Sequence, residues 1–191
     1  MSELYYPKDL IDKYRDVLVC HGDWHESEYE HLKEMMSAIG IRVDKVYFTG
    51  FWSQGDGACF EGRVEDWGKY LLHLGYDNLI LHQAAEDSWS FSWAHSSGRY
   101  YHEQCVTYND EIWRPANPFD EEKAPLQYDT WANTLGVFDL LQLTEEMKEN
   151  LRGHMRSLYR TLEKEYDHLT SDETVSAWMQ DNYIELTELE I

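Results

Sequence analysis

The side chains best suited to proton transfer or anion contact fall in one short run, His95, Arg99, Tyr100, Tyr101, His102 and Glu103. Imidazole, phenol and carboxylate groups can give or take protons, and a guanidinium can hold an anion, so the set suits a small polar molecule. If the run is a strand, Tyr100 and His102 share one face while Arg99, Tyr101 and Glu103 share the other. A buried histidine bonded to a nearby polar group is the competing outcome. A second candidate is Trp52, Ser53, Gln54 and Asp56, where Gly55 and Gly57 flank the aspartate. Such a loop exposes backbone N–H groups, but it lacks a following Lys-Ser or Lys-Thr and a following helix, and Asp56 repels phosphate. Turn chemistry accounts for Gly-Asp-Gly without a ligand. His21, Asp23 and His25 offer three metal-ligand types in five residues, yet Gly22 interrupts the helix that would align them. No His-Glu-x-x-His, nucleophile-elbow or dinucleotide-binding pattern occurs, so no catalytic residue, metal or cofactor is expected and enzyme activity is unsupported.

The elements that would position these groups are legible from periodicity. Val46 to Val64 holds two runs rich in aromatic and β-branched residues around Ser53-Gln54-Gly55-Asp56-Gly57, which predicts a hairpin. Ser88 to His95 alternates polar and aromatic residues, turns at Ser96-Ser97-Gly98 and returns over Arg99 to Tyr108, a second hairpin with Trp89, Phe91 and Trp93 on one face. Helical spacing marks a short stripe from Leu10 through Tyr14 to Leu18, a second helix from about Ser27 to Ile39 that Gly40 ends, and a third over Glu65 to Leu74. Leu79-Ile80-Leu81 reads equally as a strand or a helical turn. Residues 109–133 hold three of the four prolines and read as a loop. A long helix follows from near Thr144 to His168, and Thr170-Ser171-Asp172-Glu173 is a capping box for the last one. The expected class is α+β: an antiparallel sheet of two main hairpins, covered by helices, with a C-terminal helical pair. One domain is expected, with a helix and hairpin core over 1–133 and C-terminal helices over 134–191 packing on it.

The formal net charge is −21 over 191 residues. A field of that sign disfavours nucleic acid and anionic membranes and selects a basic protein as partner. Candidate partner-binding acids are Glu26, Glu28, Glu30 and Glu34 on the second helix and Asp120, Glu121 and Glu122 in the loop. Lys148, Arg152, Arg156, Arg160 and Lys164 recur every four residues, a ridge that reads better as a seam for the chain's own carboxylates than as a nucleic-acid face. Cys20, Cys59 and Cys105 are widely spaced and odd in number, which argues for reduced thiols. With no apolar leader and no spanning run, a cytoplasmic protein is expected.

Phe51-Trp52-Ser53-Gln54-Gly55-Asp56-Gly57-Ala58-Cys59-Phe60, Ser97-Gly98-Arg99-Tyr100-Tyr101-His102-Glu103, and Leu162 to Tyr166 with Leu169 to Glu173 resemble a set of small acidic phage and prophage proteins. Some of these are labelled antitoxin of a toxin–antitoxin stability system. The resemblance spans roughly residues 10–185 and implies a phage context and the host bacterial cytoplasm. Within it, the leading reading is a non-enzymatic inhibitor whose carboxylates occupy the basic, nucleic-acid-binding-like surface of a host defence or regulatory protein. An antitoxin masking a basic toxin would use the same physics. The alternative is a protein that binds or processes a small molecule or nucleotide between the two hairpins.

Overall fold

The structure, a computed structural model, describes residues 6–20, 23–96, 98–112 and 140–184. Strands β1 (Ile41–Phe48), β2 (Ala58–Val64), β3 (Ser90–His95) and β4 (Val106–Glu111) form one antiparallel sheet in the order β1-β2-β3-β4. The helices are α1 (Lys8–Tyr14), α2 (Glu26–Ala38), α3 (Trp67–His73), α4 (Leu79–Ser88), α5 (Leu140–Leu169) and α6 (Asp172–Asp181). This is the α+β class that the patterns predict, with its two hairpins and its C-terminal helix pair. The chain groups into two compact units, residues 1–30 with 160–191, and residues 31–159. The expected division between 133 and 134 lies outside the described residues, as does most of the expected loop over 109–133, but its first residues, Asn109 to Glu111, belong to β4 and pair with β3.

The first unit joins the two ends of the described chain. Leu10 and Ile11 of α1 bury with Tyr6, Val175 and Met179. Arg15 donates to the Thr170 carbonyl at 2.6 Å and to Asp172 at 2.7 Å, and Lys8 reaches Asp172 at 2.8 Å. The stripe through Val17 and Leu18 does not continue α1, because the chain leaves the helix after Tyr14 for three-residue turns such as Val17 N–H to Tyr14 O at 3.0 Å. The start of α6 is also corrected. Ser171 is the cap, its hydroxyl accepting from Thr174 N–H at 3.2 Å, while Thr170 donates back to Tyr166 O at 2.8 Å and closes α5.

In the second unit, β2 is flanked on both sides, and Ala58, Cys59 and Phe60 are at most 2% exposed. Register slips between Val43 and Lys45, leaving Asp44 as a bulge that ion-pairs Arg42 at 2.9 Å. Downstream of the slip, Lys45 stands opposite Glu61 and Tyr47 opposite Cys59. Trp89, Phe91 and Trp93 are all buried while Ser90 is exposed, as alternation predicts. The strand itself starts at Ser90, since α4 extends to Ser88 and takes Leu79-Ile80-Leu81 into its first turn.

The return strand is shorter than expected. Residues Arg99 to Cys105 are not strand; β4 begins at Val106, which pairs with His95. Glu103–Cys105 instead forms a 3₁₀ turn, because the His102 ring accepts from Gln104 N–H at 3.3 Å and Cys105 N–H bonds the His102 carbonyl at 2.8 Å. Local side-chain bonding of this kind competes with a sheet ladder.

The helices pack by regular spacing. Leu143, Met147, Leu151, Met155, Leu158 and Leu162 form the buried stripe of α5, and Leu32 and Met36 that of α2. Met35, which helical spacing groups with Leu32, Met36 and Ile39, is 44% exposed. Asp66 caps α3 by accepting from Lys69 N–H at 2.9 Å, and Gly40 brings the end of α2 to it, its carbonyl accepting from Glu65 and Asp66 N–H at 2.9 and 3.0 Å. Tyr70 is fully buried, with its hydroxyl 3.3 Å from both Met147 O and Asn150 Oδ1.

His154 of α5 lies 6.0 Å from the His73 ring, and its pKa is lowered by burial first and by His73 second. The unfolded chain takes that proton near about pH 6.5. The stabilisation from a neutral His154 is therefore complete above that pH and is lost as pH falls through the lower folded value. Urea titrations at about pH 7.5 and about pH 5.5 are expected to show a drop in stability that is smaller in His154→Gln. An equal drop in both proteins would remove His154 from the account.

Candidate functional site

Two loops meet at one end of the sheet. Between β1 and β2 the chain is held at its neck by Thr49, whose N–H donates to Gly57 O and whose hydroxyl accepts from Gly57 N–H, both at 3.0 Å. At its tip Asp56 accepts from Ser53 N–H at 2.6 Å, and Asp56 N–H returns to Ser53 O at 3.0 Å. The connection from β3 to β4 presses against this loop. A Cβ on Gly55 would lie 2.7 Å from the Tyr100 ring, and one on Gly57 would lie 2.8 Å from His102 Cα. These glycines therefore serve a close approach that no side chain permits. The structure brings together the two groups of ligand candidates, Trp52, Ser53, Gln54 and Asp56 with Arg99, Tyr101, His102 and Glu103.

Their side chains then part. Tyr101 stacks on Tyr47 with centroids 5.0 Å apart, and His95 lies 4.8 Å from Tyr101 and 5.2 Å from Tyr47. Glu61 accepts from the Tyr47 hydroxyl at 2.9 Å and from His95 N–H at 3.1 Å, and His95 Nε2 meets Tyr100 O at 2.8 Å. With the Tyr100 carbonyl as acceptor, the His95 proton is on Nε2. Rings in mutual contact at these distances fill the space between them, so Tyr47, His95 and Tyr101 form a half-buried packed cluster. Sequence reading missed Tyr47, Lys45 and Glu61 here because the bulge at Asp44 sets which residues oppose one another. Only a strand register that includes the slip places Lys45 across from Glu61.

Trp52, Ser53 and Gln54 remain exposed at the loop tip, with Trp52 at 79%. Arg99 lies over the Tyr100 ring at 4.8 Å and donates to its hydroxyl at 2.6 Å. His102 Nδ1 is 3.0 Å from Glu103, a contact that needs a hydrogen on Nδ1, whereas the bond from Gln104 N–H needs the lone pair of that same nitrogen. The Glu103 side chain is only 12% exposed and faces Arg156 of α5 at 3.9 Å.

Arg156 belongs to the basic ridge, whose upper part is an internal seam. Lys148 pairs with Asp110 at 3.2 Å and Glu145 at 3.1 Å, Arg152 with Glu149 at 3.6 Å, and Arg156 with Glu149 at 2.5 Å. Tyr108 sits under Lys148 and Arg152, at 5.9 and 5.6 Å. Hydrogen bonding to Arg156 first holds the Glu149 carboxyl below its ordinary range. Arg160 and Lys164 are exposed.

Among the acids expected to meet a partner, Glu26, Glu30 and Glu34 are exposed at four-residue spacing along α2, and Glu28 is half-buried. Asp120, Glu121 and Glu122 lie outside the described residues, as does His21. Among the described residues no group of three His, Cys, Asp or Glu is placed to hold a metal ion, and no helix is long and apolar enough to cross a membrane. Cys59 is pushed up to about 12, chiefly by burial, so its thiol stays protonated at neutral pH and is a poor nucleophile.

Fold and surface together define an acidic α+β protein with a four-stranded meander, a rigid double loop at one sheet end and a carboxylate-bearing helix. A family described as a domain of unknown function, DUF8835, matches residues 24–172, and the chain belongs to that family. No curated protein and no solved structure matches it.

Proposed function

We propose that this chain is a non-enzymatic binding protein that occupies a basic, nucleic-acid-binding-like surface of another protein. In the phage context that its motifs resemble, the partner is a host defence or regulatory protein. An antitoxin covering a basic toxin is the same device with a different partner. The observation that carries the reading is how the chain's own cations are used. Lys8, Arg15, Arg42, Arg63, Lys69, Lys148, Arg152 and Arg156 all pair with the chain's own carboxylates, and Glu26, Glu30 and Glu34 line an exposed face of α2. These cations are thus engaged within the chain, and its formal net charge of −21 repels polyanions and steers a cationic surface inward.

Binding to a cationic partner is expected to weaken at least tenfold as salt rises from about 50 to about 200 mM. Reversing Glu26, Glu30 and Glu34 to lysine should abolish it, while Tyr101→Ala and His102→Ala should change it little. Affinity capture followed by binding isotherms at both salt concentrations checks this. Salt-independent binding that is lost with Tyr101→Ala would favour a ligand site between the hairpins instead.

A further inference from the structure

The acidic surface explains attraction but not how a partner is held, and the tip of the β1–β2 loop supplies the missing contact. We propose that Trp52 is a preformed anchor that inserts into an apolar pocket on a cationic protein surface, with Tyr100, whose ring packs on Gly55 of the same loop, as part of the contact and Arg99, which lies over that ring, at its rim. This rests on the acidic-binding reading and assigns it a centre. Trp52 is 79% exposed and Tyr100 39% exposed. Trp, Tyr and Arg are the side chains that dominate interface energetics.

The loop is ordered before any partner arrives. Its neck is closed by Thr49 and Gly57, its tip by Ser53 and Asp56, and its side by the fit of Gly55 against the Tyr100 ring. Phe51, the residue before the tryptophan, is pinned on Phe48 at 4.9 Å and Tyr159 at 5.5 Å. An exposed indole on a backbone already fixed loses little conformational freedom on docking, which is what gives an anchor its affinity. The charge of the whole chain selects the occupant. At −21, a second copy, a nucleic acid or an anionic membrane is repelled, and a surface bearing Lys and Arg is drawn in. Arg99, over the Tyr100 ring, is then a local charge of the wrong sign, so the proposal predicts a gain of affinity when it is reversed.

The probe is a short amphipathic lysine–leucine peptide, with a glutamate–leucine peptide, oligothymidylate and phosphatidylglycerol-containing vesicles as the other arms. Binding is measured by fluorescence anisotropy on the full chain at low salt. The lysine–leucine peptide is expected to bind, Trp52→Ala to weaken it about tenfold, Leu79→Ala to leave it unchanged, and Arg99→Glu to tighten it about twofold or more. Leu79 is 80% exposed and so controls for loss of any surface apolar group. With 5-fluorotryptophan in the chain, the ¹⁹F signal that disappears in Trp52→Ala should be the one that shifts on binding. Unchanged affinity in Trp52→Ala, with loss only in the Glu26, Glu30 and Glu34 reversal, overturns the anchor and leaves the acidic reading standing. No binding of the basic peptide overturns both. Preferred binding of the acidic peptide, oligothymidylate or vesicles, or dissociation of a dimer by Trp52→Ala, overturns the assigned partner.

Discussion

Phe60→Ala is expected to destabilise the protein by about 3–5 kcal/mol. Phe60 has no exposed surface, lies on a strand flanked on both sides, and meets Trp93 edge-to-face at 5.9 Å. Removing the ring forfeits its transfer free energy and leaves a cavity that the paired strands on either side cannot collapse to fill. The loss is a large part of the roughly 5–15 kcal/mol by which a domain of this kind exceeds unfolding. Urea denaturation reads it directly, with Leu72→Ala as the reference, since Leu72 is 60% exposed; that change should stay within about 0.5 kcal/mol. A loss below about 1 kcal/mol for Phe60→Ala would mean that β2 is not the packed centre of this unit.

The second large effect is at the turn from α2 into β1. Gly40 has φ +85, and a Cβ there would sit 2.2 Å from the Asp66 carbonyl oxygen. Gly40→Ala therefore incurs a left-handed backbone, about 1–2 kcal/mol for a residue with a Cβ, and a clash with backbone that must shift. The shift would pull on the two bonds from Glu65 and Asp66 and on the cap of α3, for an expected total of about 3 kcal/mol or more. Gly75 isolates the first part, since its φ is +92 but a Cβ would meet nothing within 4 Å. Gly75→Ala should cost only about 1 kcal/mol. Thermal or urea melts of the pair measure the difference, and equal losses would show that the Asp66 contact carries no weight.

Much of this fold is legible in the chain because burial imposes a period. The stripe from Met147 to Leu162, the alternation of Trp89, Phe91 and Trp93, and the glycines that end α2 and α3 each follow from a single element's geometry. Features that depend on two elements at once are not legible in the same way. Arg99 to Glu103 carries the aromatic and polar mixture of a strand, but a histidine cap and a 3₁₀ turn claim its backbone. Which residues oppose Glu61 depends on one extra residue at Asp44. The packing of Tyr101 on Tyr47 depends on both. The two sets of candidate ligand residues are each visible as a hairpin segment, but their approach to one another and their division into packed rings and an exposed tryptophan depend on the three-dimensional register. Met35 shows the limit of periodicity itself, since it lies at the edge of the stripe that Leu32 and Met36 define on α2, where spacing alone does not fix burial.

The bond from the Tyr6 hydroxyl to Ile184 O, at 3.2 Å, and the shared burial of Leu10 and Ile11 with Val175 and Met179 tie together segments more than 150 residues apart. Translation delivers α1 well before α6, so the apolar side of α1 must wait for this partner until Val175 and Met179 have emerged. The sheet and its helices can close meanwhile from nearer neighbours. Closure of this unit should thus follow the synthesis of α6, and that interval is when a chaperone or protease would find α1 uncovered.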